Sequence, residues 1–170
     1  MSVKVLLTGK PGIGKTTVVK KVVRELGGYG FYTEEWREKG RRKGFYLVLL
    51  HGRRLILAEK GKESPFRVGR YAVFPEVMEE AVREIEEGMR KGKIIVMDEI
   101  GKMELFSGEF REMVRKVFSQ DVSVLATVPV SRIPLVEEIK RRKDIKLFEV
   151  TVYNRDELPE KIMKIFLERC

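Results

Sequence analysis

Gly9-Lys10-Pro11-Gly12-Ile13-Gly14-Lys15-Thr16 fits the pattern G-x-x-x-x-G-K-[ST] at every constrained position, and it joins two segments of different periodicity. Before it, Val3-Lys4-Val5-Leu6-Leu7 is a strand-length apolar run. After it, Val18, Val19, Val22, Val23 and Leu26 share one face of a helix predicted from Thr17 to Leu26, and Gly27-Gly28 ends that helix. The glycines let the loop backbone turn successive N–H groups toward one anion, and the helix adds its own unpaired amides and dipole. Strand, loop and helix in this order predict binding of a nucleoside polyphosphate. Lys15 would reach the β- and γ-phosphates and Thr16 would offer its hydroxyl to Mg2+.

Outward from the loop the period first shortens to two. Phe31 to Trp36, Gly44 to Leu50 and Arg53 to Ala58 read as an antiparallel meander, joined by a polar turn from Arg37 to Lys43 and a tight His51-Gly52 turn. Residues 59 to 75 read as an irregular loop that includes one short strand at Tyr71 to Phe74. Helices then alternate with strands to the end of the chain. Helices are expected over Glu76 to Lys91, around Phe110 to Phe118, over Pro134 to Arg142 and over Glu157 to Leu167; strands are expected at Ile94 to Met97, Val122 to Thr127 and Ile145 to Val152. The alternation predicts an α/β fold with a largely parallel central sheet, helices on both faces and an antiparallel meander near residues 30–58.

A length of 170 residues suits one domain, spanning 1–170. No run approaches the roughly 18 apolar residues of a membrane helix, so a soluble, cytoplasmic protein is expected, with no membrane partner. The single cysteine, Cys170, excludes an intrachain disulfide, and the single histidine, His51, leaves little for nucleophilic triads. Charged residues make up 36% of the chain, and Gln120 and Asn154 are its only side-chain amides, a bias that points to thermal adaptation. The net charge of +9 suits either RNA or DNA or a small polyanion. Because acids interrupt the basic runs, as in Arg83-Glu84-Ile85-Glu86-Glu87, a solvated face and a small polyanionic substrate are the preferred reading.

The chemistry is expected at the strand ends. Ile94-Ile95-Val96-Met97-Asp98 places a carboxylate where the metal of a phosphate-loop nucleotide would sit, so Asp98 and Thr16 are the candidate Mg2+ ligands. Glu99, next in sequence, is placed to orient water for attack on the γ-phosphate, which favours hydrolysis over transfer to another acceptor. Thr127 has two readings, a γ-phosphate sensor or a strand cap. Arg132, on the loop beyond it, is the candidate charge-stabilising finger. Arg37 to Lys43 either closes over the phosphates, binds RNA or forms a charged turn that protects strand edges. The neighbouring aromatics Phe31, Tyr32, Trp36, Phe45 and Tyr46 either stack on bases or fill the space between sheet and helix. Asn154-Arg155-Asp156 either holds the base or caps the last helix.

Gly9 to Thr17, Gly30-Phe31-Tyr32-Thr33-Glu34-Glu35, Asp98-Glu99-Ile100-Gly101-Lys102-Met103-Glu104-Leu105-Phe106-Ser107 and Asn154-Arg155-Asp156-Glu157-Leu158-Pro159 together carry a family resemblance. The chain resembles the small broad-specificity nucleoside-triphosphatases of hyperthermophiles and archaea, which are related to the animal cancer-related nucleoside-triphosphatases. The resemblance implies a three-layer RecA-like fold and Mg2+-dependent hydrolysis of ATP, GTP, CTP and UTP to diphosphate and phosphate. It also implies a nucleotide site made of Gly9, Lys10, Pro11, Gly12, Ile13, Gly14, Lys15 and Thr16 with Asp98, Glu99, Ile100, Gly101, Lys102 and Met103. The expected catalytic set is Glu99, Lys15 and Arg132. One departure follows Thr127, where many relatives carry histidine and this chain has Val128-Pro129-Val130-Ser131. Two alternatives remain beside hydrolysis: a small-molecule or nucleic-acid kinase, and a nucleotide-dependent switch that binds RNA or a protein.

Overall fold

A computed structural model describes residues 2–168; Met1, Arg169 and Cys170, and with Cys170 the expectation about the lone thiol, lie outside the described residues. The elements in chain order are β1 (Lys4–Thr8), α1 (Lys15–Leu26), β2 (Tyr29–Glu38), β3 (Arg41–Leu49), β4 (Arg54–Lys60), β5 (Phe66–Val68) and β6 (Tyr71–Val73). They continue as α2 (Met78–Arg90), β7 (Ile95–Asp98), α3 (Gly108–Ser119), β8 (Val124–Thr127), α4 (Pro134–Lys140), β9 (Ile145–Glu149) and α5 (Leu158–Leu167). One sheet takes the strands in the order β5-β6-β4-β3-β2-β7-β8-β1-β9. From β2 to β9 every neighbouring pair is parallel, whereas β2 through β6 form the antiparallel extension.

The central strands are buried on both faces, which explains their unbroken apolar sequences. In β1, Val5 and Leu7 point to one core and Leu6 to the other; in β7, Val96 opposes Ile95 and Met97; in β8, Leu125 opposes Val124 and Ala126. Val18, Val19 and Val22 of α1 and Ile162 and Phe166 of α5 cover the first face. Ala81 and Ile85 of α2, Phe110, Val114 and Val117 of α3, and Val136 and Ile139 of α4 cover the second. Because β1, β7, β8 and β9 run the same way, the segments that follow them emerge along one edge of the sheet, the usual place for a ligand in such folds.

The structure corrects three expectations. The segment Arg37 to Lys43 is mostly strand: Glu38 pairs with Arg41 and Arg37 with Arg42, leaving only Lys39-Gly40 as the turn, both at positive φ. A primed two-residue turn matches strand twist, so the charges decorate a long ribbon and not a loop. Residues 59–75 contain a hairpin, β5 with β6, where one short strand was expected. Glu84 does not belong to a solvated face. It is 7% exposed, and its carboxylate accepts the backbone N–H groups of Gly30 at 2.7 Å and His51 at 2.9 Å.

Glu84 thus clamps α2 to the start of β2 and to the β3–β4 turn. Replacing Glu84 with alanine strands two N–H groups, and we expect a loss on the order of 2–4 kcal/mol, seen as a melting point lower by several degrees. A melting point within one degree of the unaltered protein would show that the clamp is unimportant.

Candidate active site

The phosphate-loop segment leaves β1 and turns sharply, with Ile13 N–H donating to the Lys10 carbonyl at 3.1 Å. Gly14, at φ 119°, is the residue before α1, and no side chain caps that helix. The first turn of α1 contains no acid, so its free amides and its dipole face the loop without a resident negative charge. Lys15 is 8% exposed, and its Nζ lies beneath the loop, donating to the Gly9 carbonyl at 2.5 Å. A cleft of about 740 Å³ opens above, lined by the loop and by Thr17 and Lys20 of α1. Its other walls are Glu99, the Pro129-Val130-Ser131 segment, and the β2–β3 ribbon at Thr33, Glu34, Glu35, Arg42 and Phe45.

Asp98 ends β7 at 2% exposure. The buried Thr127 hydroxyl at the end of β8 donates to its Oδ1 at 2.7 Å. Burial raises the Asp98 pKa, while Thr127, Thr16, Lys15 and Lys20 pull it down. Oδ2 is buried without a hydrogen-bond partner. An orphaned carboxylate oxygen beside a threonine hydroxyl suits a hard divalent cation. Among the described residues no group of three His, Cys, Asp or Glu side chains is arranged to hold a metal ion by itself. A cation here would therefore complete its shell from the nucleotide and water, as Mg2+ commonly does.

The Asp98–Glu99 peptide bond is cis. Glu99 is half-buried at the cleft surface; burial raises its pKa first and foremost, Lys15 opposes this and Asp98 adds to it. A methyl group on Gly101 would lie 3.0 Å from Glu104 Oε1 and 3.2 Å from Glu99 Oε2, so a larger residue there would crowd both carboxyl groups. Glu104 is buried beside Gly101, and burial, then the nearby Glu99, push its pKa up to about 8. Three acids thus sit in seven residues at graded depth.

The remaining candidates divide sharply. Ile100 is in the core, Met103 packs against it and Lys102 is exposed; of the 98–103 stretch only Glu99 lines the cleft. Lys10 is exposed, and Ile13 packs on the α1–α5 side of the core. Thr127 is fully buried and committed to Asp98, so it is neither an exposed sensor nor a simple cap. Arg132 is exposed and is not brought into the cleft, although Val130 and Ser131 are. Asn154 is not the cap of α5, a place held by Glu157; its Oδ1 accepts Thr151 N–H and its Nδ2 donates to the Glu149 carbonyl, both at 2.8 Å. Arg155 donates to the Ile13 carbonyl at 3.2 Å and so braces the phosphate loop from the β9 side. Phe31 fills the core and Phe45 lines the cleft, whereas Trp36 and Tyr46 stack on each other at 5.1 Å. Arg42 belongs to the Arg37 to Lys43 cluster that the sequence offers for closing over the phosphates, and of that cluster it is the residue that lines the cleft; the burial of Glu104 leaves no local signal in the sequence.

Residues 4–163 match the sequence profile of a protein family described as NTPase. The nucleoside-triphosphatase THEP1 of Thermotoga sp. (strain RQ2) is 46% identical over 164 residues, covering 95% of this chain and 94% of its own. The human cancer-related nucleoside-triphosphatase is 42% identical over 177 residues, covering 93% of each chain. Among solved structures, the crystal structure of THEP1 from the hyperthermophile Aquifex aeolicus aligns with TM-score 0.90 at 40% identity, over 96% of this chain and 99% of that one. The solution structure of the human protein aligns with TM-score 0.84 at 39% identity, over 99% and 100% of the two chains.

Glu104 offers a test of the buried acid cluster. A folded pKa near 8, against an ordinary 4.5, means that folding favours the protonated acid; that contribution is complete below about pH 4.5 and is lost as the pH rises through 8. Glu104→Gln, which is neutral at all pH, should therefore match the unaltered protein below pH 4.5 and exceed it by on the order of 1–4 kcal/mol above pH 8. Melting curves across this range check it, and equal stabilities at pH 9 would contradict it.

Proposed function

The chain belongs to this nucleoside-triphosphatase family and is an enzyme of that class, and we propose that, as one domain over residues 1–170, it hydrolyses ATP, GTP, CTP and UTP to the diphosphate and phosphate with Mg2+ as cofactor. The observation that carries this reading is a single cleft bounded on one side by the phosphate loop and on another by the Glu99 carboxylate. A phosphate-loop cleft with an acid in its wall has a group for water at hand and needs no second substrate to supply the nucleophile.

The free amides of the loop and of the first turn of α1 hold the β- and γ-phosphates, and Lys15 supplies the positive charge beside them. Thr16 and Asp98 would hold Mg2+, which when bound neutralises charge on the phosphate oxygens. Glu99 orients a water in line with the bond to the leaving diphosphate and takes its proton as the new P–O bond forms and the β–γ bridging P–O bond breaks. Burial, by lifting the Glu99 pKa, makes this carboxylate a stronger base than an exposed one. Thr127 acts through Asp98, fixing the orientation of that carboxylate by the hydrogen bond to Oδ1. Nothing in the cleft favours nucleic acid as a partner. Among the described residues no helix is long and apolar enough to cross a membrane; the proposed substrates, free nucleoside triphosphates, are what favours a cytoplasmic enzyme.

Phosphate release from a panel of nucleoside triphosphates, with and without Mg2+, tests the reading. Glu99→Gln is expected to bind nucleotide within a few-fold of the unaltered protein while turnover falls about 100-fold or more. Lys15→Ala should instead weaken binding as well. Turnover of Glu99→Gln at the original rate would remove Glu99 from the mechanism, and phosphate release that requires an added hydroxyl acceptor would make the enzyme a kinase.

A further inference from the structure

Of the cations close to the phosphate site, α1 supplies Lys15 beneath the loop and Lys20, whose Nζ lies 4.5 Å from the Tyr32 ring centroid, while Arg155 braces the loop from the β9 side through the Ile13 carbonyl. Across the cleft stands the β2–β3 ribbon. Strand β2 pairs with β7 only as far as Tyr32 opposite Asp98, and then continues for six more residues to Glu38, roughly 20 Å of extended chain. The strand order places this ribbon next to Asp98 and Glu99, on the side away from the phosphate loop and β9. It therefore faces the γ-phosphate end of a nucleotide seated on the loop.

The cleft lining contains one arginine, Arg42. A register shift between Trp36 and Arg37 changes its pairing, and bulges of this kind re-aim side chains near active sites. Its Nε lies 2.9 Å from Glu35 Oε1, its Nη2 donates to Glu35 Oε2 at 3.4 Å, and its guanidinium carbon is 5.5 Å from the Phe45 ring centroid. Phe45 is itself the strand partner of Glu35. A carboxylate and an aromatic face thus hold a planar cation in the cleft wall.

We propose that Arg42 is a catalytic residue for hydrolysis, stabilising the negative charge that develops on the γ-phosphoryl oxygens from the wall opposite the phosphate loop. This rests on the hydrolytic reading above and assigns to Arg42 the part that the sequence suggests for Arg132. A guanidinium suits the task because its fork of donors meets two phosphoryl oxygens at once.

Glu35 supplies the control, because Arg37 Nη2 contacts the same Oε1 at 2.6 Å yet Arg37 does not line the cleft. Each arginine substitution removes one cationic partner of Glu35 and a further local contact, Phe45 for Arg42 and the Gly40 carbonyl for Arg37, so a merely structural role acting through Glu35 predicts losses from both. Arg42→Ala is expected to lower kcat by about 100-fold or more with KM changed only a few-fold, whereas Arg37→Ala should keep kcat within about two-fold. Arg42→Lys should recover only part of the loss. Trapping of ADP with Mg2+ and aluminium fluoride, which mimics the transferring phosphoryl group, should weaken in Arg42→Ala while ADP alone binds as before. An unchanged kcat in Arg42→Ala, or an equal loss in Arg37→Ala, would overturn the assignment. If Glu99→Gln is inactive while Arg42→Ala turns over normally, hydrolysis stands and Arg42 falls; if Glu99→Gln stays active, the hydrolytic reading itself has failed.

Discussion

The hydrogen bond from Thr127 to Asp98 is the contact on which the rest of the site depends. An ionised carboxylate at 2% exposure would be costly without partners, and its partners come from elements far apart in sequence. Thr127 ends β8, while Thr16 and Lys15 begin α1, and all three help hold the charged form. Strand β8 lies between β7 and β1, so the backbones that carry Asp98 and the phosphate loop stand two strand spacings apart, about 10 Å, and the side chains of Asp98, Thr16 and Lys15 span that interval. Parallel pairing is what brings the three chain ends to one edge.

Around this contact the acids are arranged by depth. Asp98 is buried with hydroxyls and lysines on hand, Glu99 reaches the cleft, and Glu104 is sealed away with its pKa near 8. Three anions in so small a volume of low dielectric would repel strongly. Burial holds Glu104 toward its neutral form, with a pKa of about 8, which lessens that repulsion. Gly101 permits the arrangement because its missing side chain is the space where Glu99 and Glu104 approach each other.

Most of the fold is legible in the sequence because its evidence is local. The parallel strands are apolar throughout, since both faces are covered, and each helix repeats its apolar positions at 3.6 residues. The phosphate loop and Asp98-Glu99 are legible for the same reason, being contiguous patterns attached to recognisable strands. The errors arise where local composition and tertiary setting disagree. Charge made residues 37–43 look like a turn, although strand pairing tolerates charged side chains on a solvated ribbon. Glu84 lies in a charged run, and only the fold brings two unpaired N–H groups to it. Arg132 follows a strand whose end belongs to the site, a sound local argument, yet the chain turns its side chain to solvent. Arg42 reaches the cleft through pairing register and a bulge, which no single segment encodes.

The turn at Asn154 has a consequence for how the molecule ages. Asparagine deamidates when the following backbone nitrogen attacks the side-chain carbonyl to close a succinimide ring. Here both ends of the Asn154 amide are held within the turn, and the attacking nitrogen, that of Arg155, is engaged with the Thr151 carbonyl at 3.0 Å. The ring can close only after those bonds open together. With no other asparagine in the chain, the folded protein keeps its one site of asparagine deamidation locked, so its resistance to that reaction in heat is tied to the stability of this turn.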